Sequence, residues 1–153
     1  MEKIKDLLMQ HPFFKGLPNE HLDLLAGCGS NVHFKKGECI FKMGEESNHF
    51  YIVRKGQVSL EIDGAQHGPV RIQTIEEGDI LGWSWLIPPH KWSFTAFAVE
   101  DVNVTALDGQ CLRKKCEEDH DLGYELLKRF SAVLAKRLEW TRMQLLDVYG
   151  ANA

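Results

Sequence analysis

At 153 residues, with 44% hydrophobic and 26% charged side chains, the chain carries enough apolar material for one core and too much for a disordered segment. A formal net charge of −4 supplies no global basic field that would draw it to nucleic acid or anionic lipid. No apolar run approaches the roughly 20 residues that span a bilayer, and Met1 to Asp6 is too charged for a signal peptide, so a cytoplasmic protein without membrane association is expected.

Three zones follow one another. In 1–29, Ile4, Leu7 and Leu8 repeat at helical spacing until Pro12 stops them; Asn19 is the expected N-cap of a second helix carrying Leu22, Leu24 and Leu25. From 30 to 108 the period changes. Short runs rich in Val, Ile, Phe and Tyr are cut by glycines at 37, 44, 56, 64, 68, 78 and 82. His49–Val53, Gln57–Ile62, Val70–Ile75 and Val102–Leu107 read as strands, and their number and spacing predict an antiparallel roll or sandwich. In 109–150 the helical period returns. A short helix is predicted over Gly109–Glu118, and a long one from a cap at Asp121 to Tyr149, roughly 40 Å at 1.5 Å per residue. Its stripe of Leu122, Leu126, Leu127, Phe130, Val133, Leu134, Leu138, Leu145 and Val148, with Trp140 and Met143 beside it, exceeds what one wall of strands covers. A homodimer through this helix is the expected solution, and a helix wrapped on its own domain the alternative. The fold class is therefore α+β: an antiparallel β-roll (a jelly roll, or double-stranded β-helix) with N-terminal helices and a long C-terminal helix, as one domain over 1–153.

Reactive motifs are sparse. Cys28, Cys39, Cys111 and Cys116 form no CxxC and are expected as free, buried thiols. The histidines at 11, 21, 33, 49, 67, 90 and 120 include no HxH pair of the kind that holds a metal in jelly-roll enzymes. There is no GxSxG and no P-loop. Neither catalysis nor a metal is expected.

The order of motifs carries a resemblance. Lys35-Lys36-Gly37-Glu38 through Gly44-Glu45, Phe50 through Arg54-Lys55-Gly56-Gln57-Val58, and Glu77-Gly78-Asp79-Ile80-Leu81-Gly82 resemble the cyclic-nucleotide-binding effector domain of the catabolite activator and fumarate-nitrate regulator family. Phe14-Lys15-Gly16-Leu17-Pro18 and Leu134-Ala135-Lys136-Arg137-Leu138 fit its flanking helices, so the resemblance spans nearly the whole chain. In that family a turn and short helix after the last glycine pair hold the cyclic phosphate, an arginine neutralises it, and a carboxylate takes the ribose hydroxyl. Here the segment reads Gly82-Trp83-Ser84-Trp85-Leu86, then Lys91-Trp92-Ser93-Phe94: Trp83 stands at the carboxylate position and Trp92 at the arginine position, or Lys91 if the loop is one residue shorter. Charge-assisted bonds are worth roughly 1.5–3 kcal/mol each, so their loss implies no tight cyclic AMP binding in the usual pose.

Trp83, Trp85, Trp92 and Phe94 are expected to line the pocket, as an aromatic site for an unidentified nucleotide or ring ligand, as a plug, or as a partner anchor. Ser84, Ser93 and Lys91 are candidate anion donors, and Thr141 and Arg142 stand where the family's long helix reaches the base. The resemblance implies a regulatory, ligand-sensing domain with no resident cofactor. The alternatives are an accessory protein-interaction subunit, since small domains with a similar Gly-Trp-Ser-Trp segment accompany redox complexes such as hydrogenases, and a cyclic-nucleotide binder using Lys91. No helix-turn-helix is expected to accompany the long helix, and direct DNA binding is not expected.

Overall fold

In the computed structural model, which describes residues 4–63, 66 and 68–151, strand pairing begins where the glycine-cut stretch begins. Among the described residues eight strands form: β1 (Gly29–Phe34), β2 (Cys39–Phe41), β3 (His49–Lys55), β4 (Val58–Asp63), β5 (Pro69–Ile75), β6 (Ile80–Leu81), β7 (Thr95–Ala98) and β8 (Val102–Asp108). They make two antiparallel sheets of order β1-β8-β3-β6 and β2-β7-β4-β5. Before them lie α1 (Ile4–Gln10), a 3₁₀ turn (Pro12–Phe14) and α2 (Asn19–Ala26); after them come α3 (Gly109–Glu118) and α4 (His120–Ala151). The β-roll with flanking helices is the fold class that the pattern predicts. Gly64, His67 and the side chain of Val148 lie outside the described residues.

Side-chain alternation on β3 divides the core. Tyr51 and Val53 face the roll interior with Val58, Leu60, Ile75, Leu81 and Val104. Phe50 and Ile52 face the helices, meeting Leu8, Leu25, Leu112, Leu122 and Phe130. Burial of both faces explains why β3 reads as an unbroken apolar run. The turn after β3 needs Gly56, at φ +99°, because a Cβ there would stand 2.5 Å from the Asp101 carbonyl oxygen.

The helices are tied down by polar contacts. Arg129 on α4 donates to the carbonyls of Phe13 (2.9 Å) and Lys15 (2.8 Å) and pairs with Glu125, clamping the 3₁₀ turn. That pairing also holds the Glu125 carboxyl below its ordinary range. His11 caps the same turn, its Nδ1 accepting from the Phe13 amide at 3.2 Å.

Three expectations are corrected. The second helix is preceded by Pro18, which makes no side-chain cap bond, and Asn19 is its first residue. The long helix starts one residue before Asp121, and it is Asp119 whose carboxylate accepts from the Leu122 amide. Cys28 and Cys111 are not free thiols: they form a disulfide with Cα atoms 5.7 Å apart. Pairing of β1 with β8 sets Gly29 opposite Leu107, which brings together two residues 83 positions apart in sequence. Cys39 and Cys116 are free, and burial pushes the Cys116 thiol up to about 11.

Burial lowers the pKa of His11, which is 7% exposed, although Asp79 opposes the shift. The fold therefore holds the neutral ring. Its contribution is complete above the ordinary value of 6.5 and is lost as pH falls below it toward the folded-state value. Thermal melts from about pH 7.5 to about pH 5.5 should show stability falling, and His11→Asn, which keeps a capping oxygen, should show a flatter profile. Parallel profiles for the two proteins would place the pH dependence elsewhere.

Candidate functional site

The segment from Gly82 to Phe94 leaves β6 and enters β7 without forming a helix. It turns twice, through Leu86 N–H to the Trp83 carbonyl (3.0 Å) and His90 N–H to the Ile87 carbonyl (3.0 Å). Pro88 and Pro89 offer no amide hydrogens. An array of free N–H groups at a helix start, the usual backbone device for holding a phosphate, is absent from this described segment.

Trp92 dominates the interior side. Its indole lies flat on Phe41 of β2, with ring centroids 3.5 Å apart and planes 8° from parallel, and Tyr51 continues the stack at 6.2 Å. The ring also covers Gly82, where a Cβ would stand 2.6 Å from indole carbons Cη2 and Cζ3. Gly82 sits at φ +93°, so both its backbone and the indole demand glycine. The Trp92 amide donates to the Glu45 carbonyl and its carbonyl accepts from Gly44 N–H, each at 2.9 Å, fixing the residue to the turn before β3. Trp92 is 4% exposed.

The four aromatic residues do not line one pocket, which corrects the sequence expectation. Trp92 and Phe94 belong to the roll interior. Trp85 is fully buried in the helix-side cluster, near Phe130 (5.6 Å) and Phe50 (6.3 Å), and Leu86 packs against that cluster too. Trp83 bridges both clusters, edge-on to Phe94 at 5.9 Å. Of the polar candidates, Ser84 is buried, whereas Lys91 and Ser93 are exposed. Lys91 forms an isolated backbone bridge with Glu46. Thr141 and Arg142 are exposed on α4, and the Thr141 hydroxyl donates to the Arg137 carbonyl at 2.9 Å.

Arg137 joins the candidate site although the sequence reading does not single it out. Its guanidinium lies 4.9 Å over the Trp83 ring and donates to the Ile80 carbonyl, joining α4 to the strand that leads into the Trp-rich segment. Burial lowers its pKa to about 10, with Asp79 acting against the shift, so it is charged at neutral pH. Its position one turn before Thr141 was the available signal. The Nη1 atom of Arg137 is buried with no hydrogen-bond partner. Beside it, a cavity of about 410 Å³ opens between the 3₁₀ turn, β5, β6 and α4, with Asp79, Arg129, Lys136 and Arg137 among its lining residues. No group of three or more metal-ligating side chains occurs among the described residues.

Comparison with known proteins agrees with this architecture. A family model described as "Cyclic nucleotide-binding domain" matches residues 31–119, more than half of the chain. The cAMP-dependent protein kinase regulatory subunit of Debaryomyces hansenii is 33% identical over 119 residues, which is 74% of this chain and 25% of that protein. Human cGMP-dependent protein kinase 2 is 29% identical over 70% of this chain, and the match covers 14% of the kinase; the chain thus corresponds to a quarter or less of these curated relatives. Among solved structures, a protein of Geobacter metallireducens GS-15 assigned to cyclic nucleotide binding superposes with a TM-score of 0.80 at 27% identity, covering 90% of this chain and 99% of that one. The Thermus thermophilus catabolite activator protein shares the fold, with a TM-score of 0.71 at 24% identity over 90% of this chain and 63% of its own. The match falls on the roll, including the segment that Trp92 fills, and the chain belongs to the cyclic nucleotide-binding domain family.

Proposed function

We propose that the chain is a non-catalytic regulatory domain in which the indole of Trp92 takes the space that a cyclic nucleotide occupies in its relatives, and which acts through α4. The observation that carries this reading is the stack of Trp92 on Phe41 and against Gly82. An aromatic side chain at that position supplies no charge for a phosphate, and removing it from the stack exposes a large apolar surface to water. The neighbouring segment offers no helix start in compensation, and Lys91 projects to solvent.

Output through α4 is supported by the apolar side chains that its second half leaves exposed. Leu122, Leu126 and Phe130 are buried, whereas Leu138, Trp140, Met143, Leu145 and Leu146 are between 47% and 69% exposed. A patch of that kind marks a protein interface, and a second copy crossing it helix to helix is the simplest closed solution. Arg137 connects this helix to Trp83, so a partner that moves α4 also moves the Trp-rich segment. A sensing role has its own support in the cavity of about 410 Å³ at the α4 seam, whose cations and apolar walls suit a small organic anion rather than a nucleotide in the roll.

Titration with cyclic AMP, cyclic GMP and linear nucleotides, followed by calorimetry and tryptophan fluorescence, should show no saturable binding at micromolar concentrations. Trp92→Ala should lose about 3–5 kcal/mol of stability as the stack is emptied. Micromolar binding by the unaltered protein, abolished by Lys91→Ala, would instead establish the lysine as the phosphate ligand. Sedimentation should find a dimer that Leu138→Asp converts to monomer; a monomer at all concentrations would turn the α4 patch toward a different protein.

A further inference from the structure

We propose that Cys28 and Cys111 form a thiol–disulfide exchange site whose state is transmitted to the Trp-rich segment through α3. The bridge joins the residue before β1 to the third residue of α3, tying the N-terminal helices to the helix that leads into α4.

The join stands without the bond. Asp108 N–H donates to the Cys28 carbonyl at 2.9 Å, Gly29 pairs with Leu107, and Leu25 and Leu112 are fully buried in the cluster that Cys28 shares. Reduction therefore leaves the two thiols side by side in a folded chain, ready to re-form the bond. Access is one-sided: Cys28 is 9% exposed, whereas Cys111 is half-buried at the surface. Cys111 lies in the first turn of a ten-residue helix, its amide donating to the Asp108 carboxylate at 2.9 Å, which fixes the backbone that carries this sulfur. Cys39 and Cys116, whose thiols burial pushes upward, are weak competitors for the same reagents.

The exchange partner is a low-molecular-weight thiol of the glutathione class. Its thiolate attacks Cys111 Sγ, forming a mixed disulfide and expelling Cys28 as a thiolate, which takes up a proton. A second thiol attacks the partner's sulfur in the mixed disulfide and releases Cys111. In sum, the protein disulfide gains two electrons and two protons, and two partner thiols become one disulfide; oxidised partner drives the reverse.

Transmission has a defined route. A Cβ on Gly109 would lie 2.8 Å from Cβ of Trp85, so the first turn of α3 touches that tryptophan directly. The Gly109 amide donates to the Asn48 carbonyl at 2.7 Å, and Arg113 donates to the Trp85 carbonyl. A shift of this turn on reduction displaces Trp85 and, through it, the segment carrying Trp83 and Trp92.

The test equilibrates the full chain in glutathione buffers from fully reduced to fully oxidised, traps thiols with a polyethylene glycol maleimide, and records circular dichroism, melting and tryptophan emission on the same samples. The expected result is four trapped cysteines in reduced buffer and only Cys39 and Cys116 in oxidised buffer. Reduced protein keeps its circular dichroism, melts roughly 10 °C lower, and shows a reversible change in emission. In circular dichroism, melting and emission, Cys28→Ser and Cys111→Ser should each match the reduced protein in reducing buffer, with three cysteines trapped rather than four; each serves as the control should the other fail to fold. The proposal is overturned by a bridge that survives excess reduced glutathione in folded protein, by four free thiols in excess oxidised glutathione, or by emission identical in both states.

Discussion

The indole of Trp92, laid flat on Phe41 and against the bare Cα of Gly82, is the contact on which the rest of this molecule turns. It closes the interior of the roll between the two sheets, and it does so with a residue anchored at its backbone to the turn at Gly44 and Glu45. The space between the sheets is thereby a packed core, with the sensitivity to volume that packed cores have. Gly82 serves the fold twice, as a left-handed turn and as the surface on which the ring rests.

From that contact the structure runs outward in two directions. Trp83 leads to Arg137 and so to α4, whose second half leaves Leu138, Trp140, Met143, Leu145 and Leu146 exposed. Trp85 leads to α3, through Gly109 and Arg113, and so to the disulfide and the N-terminal helices. Two tryptophans separated by one residue thus report to the two helices that close the domain. The turn through residues 84–86, closed by the Leu86 amide on the Trp83 carbonyl, is the physical origin of this division.

Legibility in the sequence followed the range of the interactions. The bounds of α3 were readable because a capping aspartate, Asp108, precedes a helical period, and β3, β4, β5 and β8 because their apolar runs end at glycines. The two-residue β6 carries too few side chains to show a period of its own. The caps at Pro18 and Asp119 were misplaced by one or two residues, within the usual uncertainty of helix ends. At the site, the cluster of tryptophans between Gly82 and Phe94 was visible in the sequence, but the assignment of Trp85 to the opposite cluster depends on strand pairing and on α4. The bridge between Cys28 and Cys111 was hidden for the same reason: 83 residues separate them, and only the β1–β8 register brings them together.

A crystal structure of the protein grown with saturating cyclic AMP shows directly whether Trp92 keeps its place between the sheets. The Trp92 ring should lie on Phe41 and Gly82, with no nucleotide between the sheets. A ring swung out to solvent, with a cyclic nucleotide in its place and Lys91 on the phosphate, would contradict that placement.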